Sequence, residues 1–158
     1  MYDRILVPLD GSKMAECVIP HVLKIANDCR VHDVILLRVC EPVSVLADYP
    51  ADMPEPWEEH VKAVNKYSSQ QCGLYLDDIE KQLKEAGLAN VITEGTLGDA
   101  ATQIVEYANN NNIDLIIMAT HGRSGASRWA LGSVAEKVMR TTCVPVLSVK
   151  GPGCAPGL

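Results

Sequence analysis

Short apolar runs alternate along this chain with longer stretches of helical period. Arg4–Leu9, RILVPL, is compact and apolar and stops at Asp10-Gly11, which predicts a buried strand closed by a turn. Ser12 can cap a following helix to about Asp28, with Val18, Val22, Leu23 and Ala26 inward. Pro20 lies inside that run and should cost a hydrogen bond and bend the helix. Asp33–Val39, DVILLRV, predicts a second buried strand. Residues 41–56 hold four prolines and read as an irregular connection. From Trp57 to Ala86 the apolar positions Trp57, Val61, Val64, Tyr67, Tyr75, Ile79, Leu83 and Ala86 recur largely at three and four. That spacing predicts a long helix ended by Gly87 and weakened or divided at Gly73. Asn90–Glu94 predicts a third, weaker strand. Asp99 can cap a helix with Ile104, Val105 and Ala108 inward, ending in the Asn109–Asn112 run. Asp114–Ala119 predicts a fourth strand, Val134 to about Thr141 a helix, and Val144–Val149 a last strand.

Five short apolar strands separated by helical crossovers imply an α/β fold with a parallel sheet covered on both faces. The crossovers should be right-handed, and a ligand should bind at the carboxyl ends of the strands, at a switch point. The length of 158 residues predicts one domain over residues 1–150, followed by a Gly- and Pro-rich tail at 151–158 that should not pack. The net charge of −6 argues against nucleic acid as a partner. It leaves a single nucleotide open, since local backbone N–H groups can outweigh a global charge. No stretch is apolar enough for a membrane span, and the opening MYDRILVPLD has no signal-peptide pattern. A cytoplasmic location is expected. The six cysteines form no CxxC pair and are expected to serve as small buried hydrophobes in a reducing compartment; the four scattered histidines suggest no metal site.

The chemistry concentrates in residues 118–133, MATHGRSGASRWALGS, between the fourth strand and the helix after it. Gly122, Gly125 and Gly132 permit close approach by a ligand, and Arg123, Arg128, Ser124 and Ser127 add donors. Gly132-Ser133 falls at a helix start, where N–H groups and the dipole favour an anion. Neither a Walker loop nor a GxGxxG fingerprint is present. Ser133 with Glu136 also fits a capping box, which needs no ligand. On these residues alone, a structural turn and a phosphate site stand equally.

The ordered motifs ILVPLDGS (5–12), VILLRV (34–39), DLIIMATHGRSG (114–125), LGSVAEKV (131–138) and CVPVLSV (143–149) resemble the universal stress protein family up to Lys150. The resemblance implies a flavodoxin-like (adenine nucleotide alpha hydrolase-like) sandwich with five parallel strands in the order 3-2-1-4-5. It implies a homodimer paired through the last strand, Val144–Val149, where Pro145 should sit at a position needing no donor. Members that bind ATP carry G-x2-G-x9-G-[ST] after the fourth strand. Here the frame falls on Ala119, Gly122, Gly132 and Ser133, so alanine stands at the first position. By position, Pro8 and Asp10 would flank the nucleotide and Val39 would offer backbone groups to the adenine. Met118, Ala119, His121 and Gly122 would line the ribose and phosphate side, and Gly132, Ser133 and Val134 would hold phosphates. Mg or Mn would be held through the phosphates, with Asp10 as the one candidate protein ligand. The implied role is a nucleotide-responsive regulator in stress physiology with an unidentified protein partner. The alternatives are an interaction dimer of the same fold that binds no nucleotide, and a slow ATP hydrolase. No catalytic constellation is visible, and His121 and Asp10 are the only acid–base candidates near the site. The 41–56 segment could cover the adenine.

Overall fold

The computed structural model describes residues 2–40, 57–120 and 131–151. Its strands are β1 (Arg4–Pro8), β2 (Asp33–Cys40), β3 (Val91–Leu97), β4 (Leu115–Ala119) and β5 (Val146–Val149). The helices are α1 (Ile19–Cys29), α2 (Trp57–Glu85), α3 (Ala100–Asn110) and α4 (Ser133–Thr141). All five strands run parallel in the order β3-β2-β1-β4-β5, the flavodoxin-like arrangement.

Alternation along the strands divides the core in two. Ile5, Val7, Val34, Leu36 and Ile117 pack against Val18, Val22 and Ala26 before and within α1 and against Leu76, Ile79 and Leu83 of α2. Leu6, Ile35, Leu37, Ile116 and Met118 pack against Ala101, Ile104, Val105 and Ala108 of α3 and Ala135 and Val138 of α4. The runs of fully buried Val, Ile and Leu in β1, β2 and β4 reflect this double cover.

Several local expectations change. Ser12 caps no α-helix: a 3-10 turn at Ala15–Val18 follows it with Met14 at the N-cap position, and the Ser12 hydroxyl accepts the Ala15 N–H at 3.1 Å. The α-helix proper begins at Ile19, so Pro20 lies in its first turn, where the missing N–H costs nothing. In α2, Cys72 and Leu76 are buried, whereas Tyr67 is exposed, as is Ala86 just past its end. The inward stripe is therefore Val61, Cys72, Leu76, Ile79 and Leu83. Gly73 neither breaks nor ends the helix. Gly87, at φ +101°, does end it, with Leu88 N–H on Leu83 O and Gly87 N–H on Lys84 O. β3 runs three residues past Glu94, because the polar TEGTL segment keeps pairing with β2 as a half-exposed edge. β5 starts only at Val146. The Thr142 hydroxyl takes the Val144 N–H, and Pro145 contributes its carbonyl to Ile116 at 2.9 Å.

The cysteines also depart from expectation. Cys40, the last residue of β2, is disulfide-bonded to Cys72 in the middle of α2, 32 residues away. The pairing arises where α2 crosses the end of β2, a juxtaposition that spacing alone did not reveal. Cys143 is exposed rather than buried. Gly151, assigned to the unpacked tail, is buried against the Met14 side chain; residues 152–158 lie outside the described residues. Among the described residues, no helix is long and apolar enough to cross a membrane.

Candidate functional site

The parallel sheet sends the carboxyl ends of all strands to one edge. At β1 the chain leaves toward the face covered by α1 and α2; at β4 it leaves toward the face covered by α3 and α4. These two strands are neighbours, paired Ile5 with Leu115 and Leu6 with Ile116. Continued by two residues, that register sets Pro8 beside Met118. In open parallel sheets such a divergence is the switch point at which a ligand crevice forms.

Beyond Pro8, Leu9 donates its N–H to Leu37 O at 2.9 Å, so β1 stays tied to β2 up to the turn. An Asp10 carboxylate oxygen accepts the Ser12 N–H at 2.8 Å, and Gly11 takes φ +85°, a conformation a side chain resists. The Asp10-Gly11-Ser12 turn is thus fixed by its own residues. Asp10 has the capping role that its DGS context allows, and this does not take it out of the crevice mouth.

Arg38 of β2 lies against this turn. The Arg38 guanidinium lies so close to Gly11 that a Cβ there would meet its Nη2 at 2.7 Å. Arg38 also lies over the Tyr75 ring of α2, 4.8 Å from the ring centre. Burial is the main reason the Tyr75 hydroxyl is held well above its ordinary pKa; the Glu16 and Asp10 carboxylates push it further, against the opposing Arg38 charge. That hydroxyl is buried and makes no hydrogen bond of sound geometry, although Glu16 is near enough to act on it. Asp10, Glu16, Arg38 and Tyr75 therefore form one charged cluster beneath the turn. The legible signal was an arginine inside the apolar run DVILLRV.

On the other side of the crevice, β4 ends at Ala119 and the loop begins. Thr120 is the one buried polar residue among the described residues, at 4% exposure. Its N–H donates to Val149 O at 2.9 Å, and its carbonyl accepts the Gly132 N–H at 2.7 Å. Gly132 therefore lies beside Thr120 where α4 begins. Gly132 occupies the N-cap of α4 with extended backbone (φ −60°, ψ 143°), and no side chain caps the helix. Ser133 is the first helical residue, so the capping-box reading fails. Glu136 donates its N–H to Gly132 O and gives its carboxylate to Arg140. Ser133 and Val134 are exposed, and Gly132 is half-buried. A helix start without a side-chain cap, beside the crevice, presents N–H groups and the positive end of a dipole. α4 is itself pinned to α3 through Lys137, which reaches Asp99 at 2.7 Å.

Pro8, Asp10, Met118 and Ala119 thus sit at the β1 and β4 ends, with Gly132, Ser133 and Val134 where the loop returns. Val39, one residue before the end of β2, is half-buried at the same edge. His121 and Gly122, with Arg123, Ser124, Ser127 and Arg128, lie outside the described residues, as does the 41–56 segment. Among the described residues no cluster of three or more His, Cys, Asp or Glu side chains could hold a metal ion.

Comparison with known proteins extends this picture over residues 1–150. The model of the universal stress protein family matches residues 1–150. A universal stress protein of Methanocaldococcus jannaschii is 34% identical over 154 residues, covering 96% of this chain and 84% of the relative. The solved structure of a second protein of that organism superposes with a TM-score of 0.81 at 29% identity, covering 95% of this chain and 96% of that one. A family member from Arabidopsis thaliana, solved with AMP bound, shares the fold at a TM-score of 0.63 and 18% identity, over 96% of this chain and 93% of that one. With a family match across both halves of the crevice and relatives aligned nearly end to end, the chain belongs to the universal stress protein family.

Proposed function

We propose that this protein binds ATP in the crevice between β1 and β4 and acts as a nucleotide-responsive regulator in stress physiology. The observation that carries the reading is the start of α4. Gly132 caps the helix through its backbone alone, and Ser133 is left exposed rather than spent on a cap. A phosphate group would satisfy the N–H groups of that first turn, helped by the Ser133 hydroxyl. The frame Gly122, Gly132, Ser133 agrees with it, and Ala119 adds only a methyl at the end of β4. The AMP in the Arabidopsis neighbour supports an adenine nucleotide as a ligand this fold can accept.

In this reading Pro8 and Asp10 flank the nucleotide, Val39 offers backbone groups to the adenine, and Met118, Ala119, His121 and Gly122 line its ribose and phosphate side. Gly132, Ser133 and Val134 take the phosphates. A divalent cation would travel with the phosphates, with Asp10 as the nearest candidate carboxylate. β5, at the edge of the sheet, would pair with its copy in a homodimer, since an unprotected apolar edge needs cover. One domain over 1–150 completes the proposal. A thermal-denaturation panel with ATP, ADP, AMP, cyclic AMP and GTP tests it. The midpoint should rise with ATP and not with GTP. An unchanged midpoint for every adenine nucleotide at millimolar concentration would leave the interaction dimer as the reading.

A further inference from the structure

Two glycines are placed where glycine is costly and where no neighbour requires it. Gly73 lies in the interior of α2, and Gly95 lies in the middle of β3. Neither has a positive φ, and a Cβ built on either meets nothing within 4 Å. Both open onto one cavity of about 580 Å³, bounded also by Ser69, Thr93, Cys40 and Cys72. Thr93, Gly95 and Leu97 share the α2-facing side of β3 with Val91. The cavity lies between the middle of α2 and the second half of β3. The Cys40–Cys72 pair forms part of its wall and is otherwise buried, at 6% and 4% exposure.

We propose that Cys40–Cys72 is a thiol–disulfide exchange site, and that the cavity kept open by Gly73 and Gly95 admits its low-molecular-weight thiol partner. A buried disulfide is ordinarily inert because no thiolate can approach along the S–S axis. Here the missing side chains at 73 and 95 clear an approach, and the hydroxyls of Ser69 and Thr93 give the cavity polar walls suited to a small peptide thiol. Exchange is balanced by that partner alone. One thiolate attacks a sulfur of the pair, the S–S bond breaks, and the other cysteine leaves as a thiolate and takes up a proton. A second thiolate attacks the mixed disulfide, releases the partner as its own disulfide, and frees the second cysteine thiol. Two electrons and two protons pass to the pair, and the reverse sequence closes it. The consequence is mechanical: reduction unties the last residue of β2, next to Val39 and at the start of the 41–56 segment, from the middle of α2. The site stands without reference to nucleotide.

The test equilibrates the full chain with reduced and oxidised glutathione at graded ratios. Cys40 and Cys72 are then scored by differential alkylation and mass spectrometry of their peptides. The pair should pass from disulfide to dithiol across the series. Gly73→Leu should slow the approach to equilibrium by about tenfold or more, because exchange rates depend on access to the attacked sulfur. Gly95→Val provides the same block from the strand side should the helix variant not fold. Two free thiols at every ratio would overturn the proposal, as would a disulfide that persists in fully reduced glutathione. Wild-type exchange rates in both glycine variants would overturn the route through the cavity.

Discussion

Replacing Gly11 by alanine probes the support beneath the crevice. At φ +85° an L-residue pays about 1–2 kcal/mol for the left-handed backbone. The added methyl would also lie 2.7 Å from Arg38 Nη2, so the guanidinium must withdraw. A guanidinium is the far end of a flexible side chain, and the clash therefore costs no more than the contacts it surrenders. The Tyr75 ring contact is worth about 0.5–1 kcal/mol. The sum is about 2 kcal/mol, which for a chain of this length lowers the thermal midpoint by about 4–8 °C. Urea or thermal denaturation of Gly11→Ala, Arg38→Ala and the double variant separates the parts. The backbone strain persists in the double variant and the clash does not, so the cycle should show a coupling of about 0.5–1 kcal/mol. A Gly11→Ala protein within about 0.5 kcal/mol of wild type would refute the strain argument. Strict additivity in the cycle would refute the role given to Arg38.

Other consequences follow from the same geometry. Tyr75→Phe should be within about 0.5 kcal/mol of wild type or slightly more stable by urea denaturation, because the lost hydroxyl is buried without a sound hydrogen bond and the ring stays under Arg38. Leu36→Ala, at a fully buried position, should lose about 2–5 kcal/mol in the same assay. Lys137 first, then Thr102, hold the Asp99 carboxyl well below the usual carboxylate range. Its contribution is therefore present above the unfolded carboxylate pKa of about 4 and lost as pH falls below that. Asp99→Asn should destabilise at neutral pH, with the deficit shrinking in acid. The pair is exposed, so the deficit should shrink in high salt as well.

Much of this architecture was legible because apolar runs buried on both faces look unlike anything else. β1, β2 and β4 appear in the sequence within a residue or two of their observed bounds, and Asp99 caps α3 as its spacing suggests. The errors occur where a local group competes with the pattern. Pro20 falls inside one apparent helix in the sequence because a 3-10 turn and an α-helix share enough period to look continuous. On α2 the apolar period counts Tyr67 inward although it is exposed, keeps Tyr75 packed against the core, and misses the buried Cys72 and Leu76. Ser133 satisfied a capping box on paper, yet Gly132 took the cap because its carbonyl already accepts the Glu136 N–H. Arg38 and Thr120 act through contacts made across the sheet, which linear spacing does not carry. The same holds for Cys40 and Cys72.

The central claim is that the start of α4 is a phosphate site. Calorimetric titration with ATP, with and without magnesium, on wild type and Gly132→Val tests it most directly. The account predicts saturable binding by the wild type, and its loss in a valine variant that still folds, because a branched side chain at the N-cap stands where the phosphate would approach the exposed N–H groups. Undiminished binding by a folded Gly132→Val protein, or no binding by the folded wild type, would contradict it.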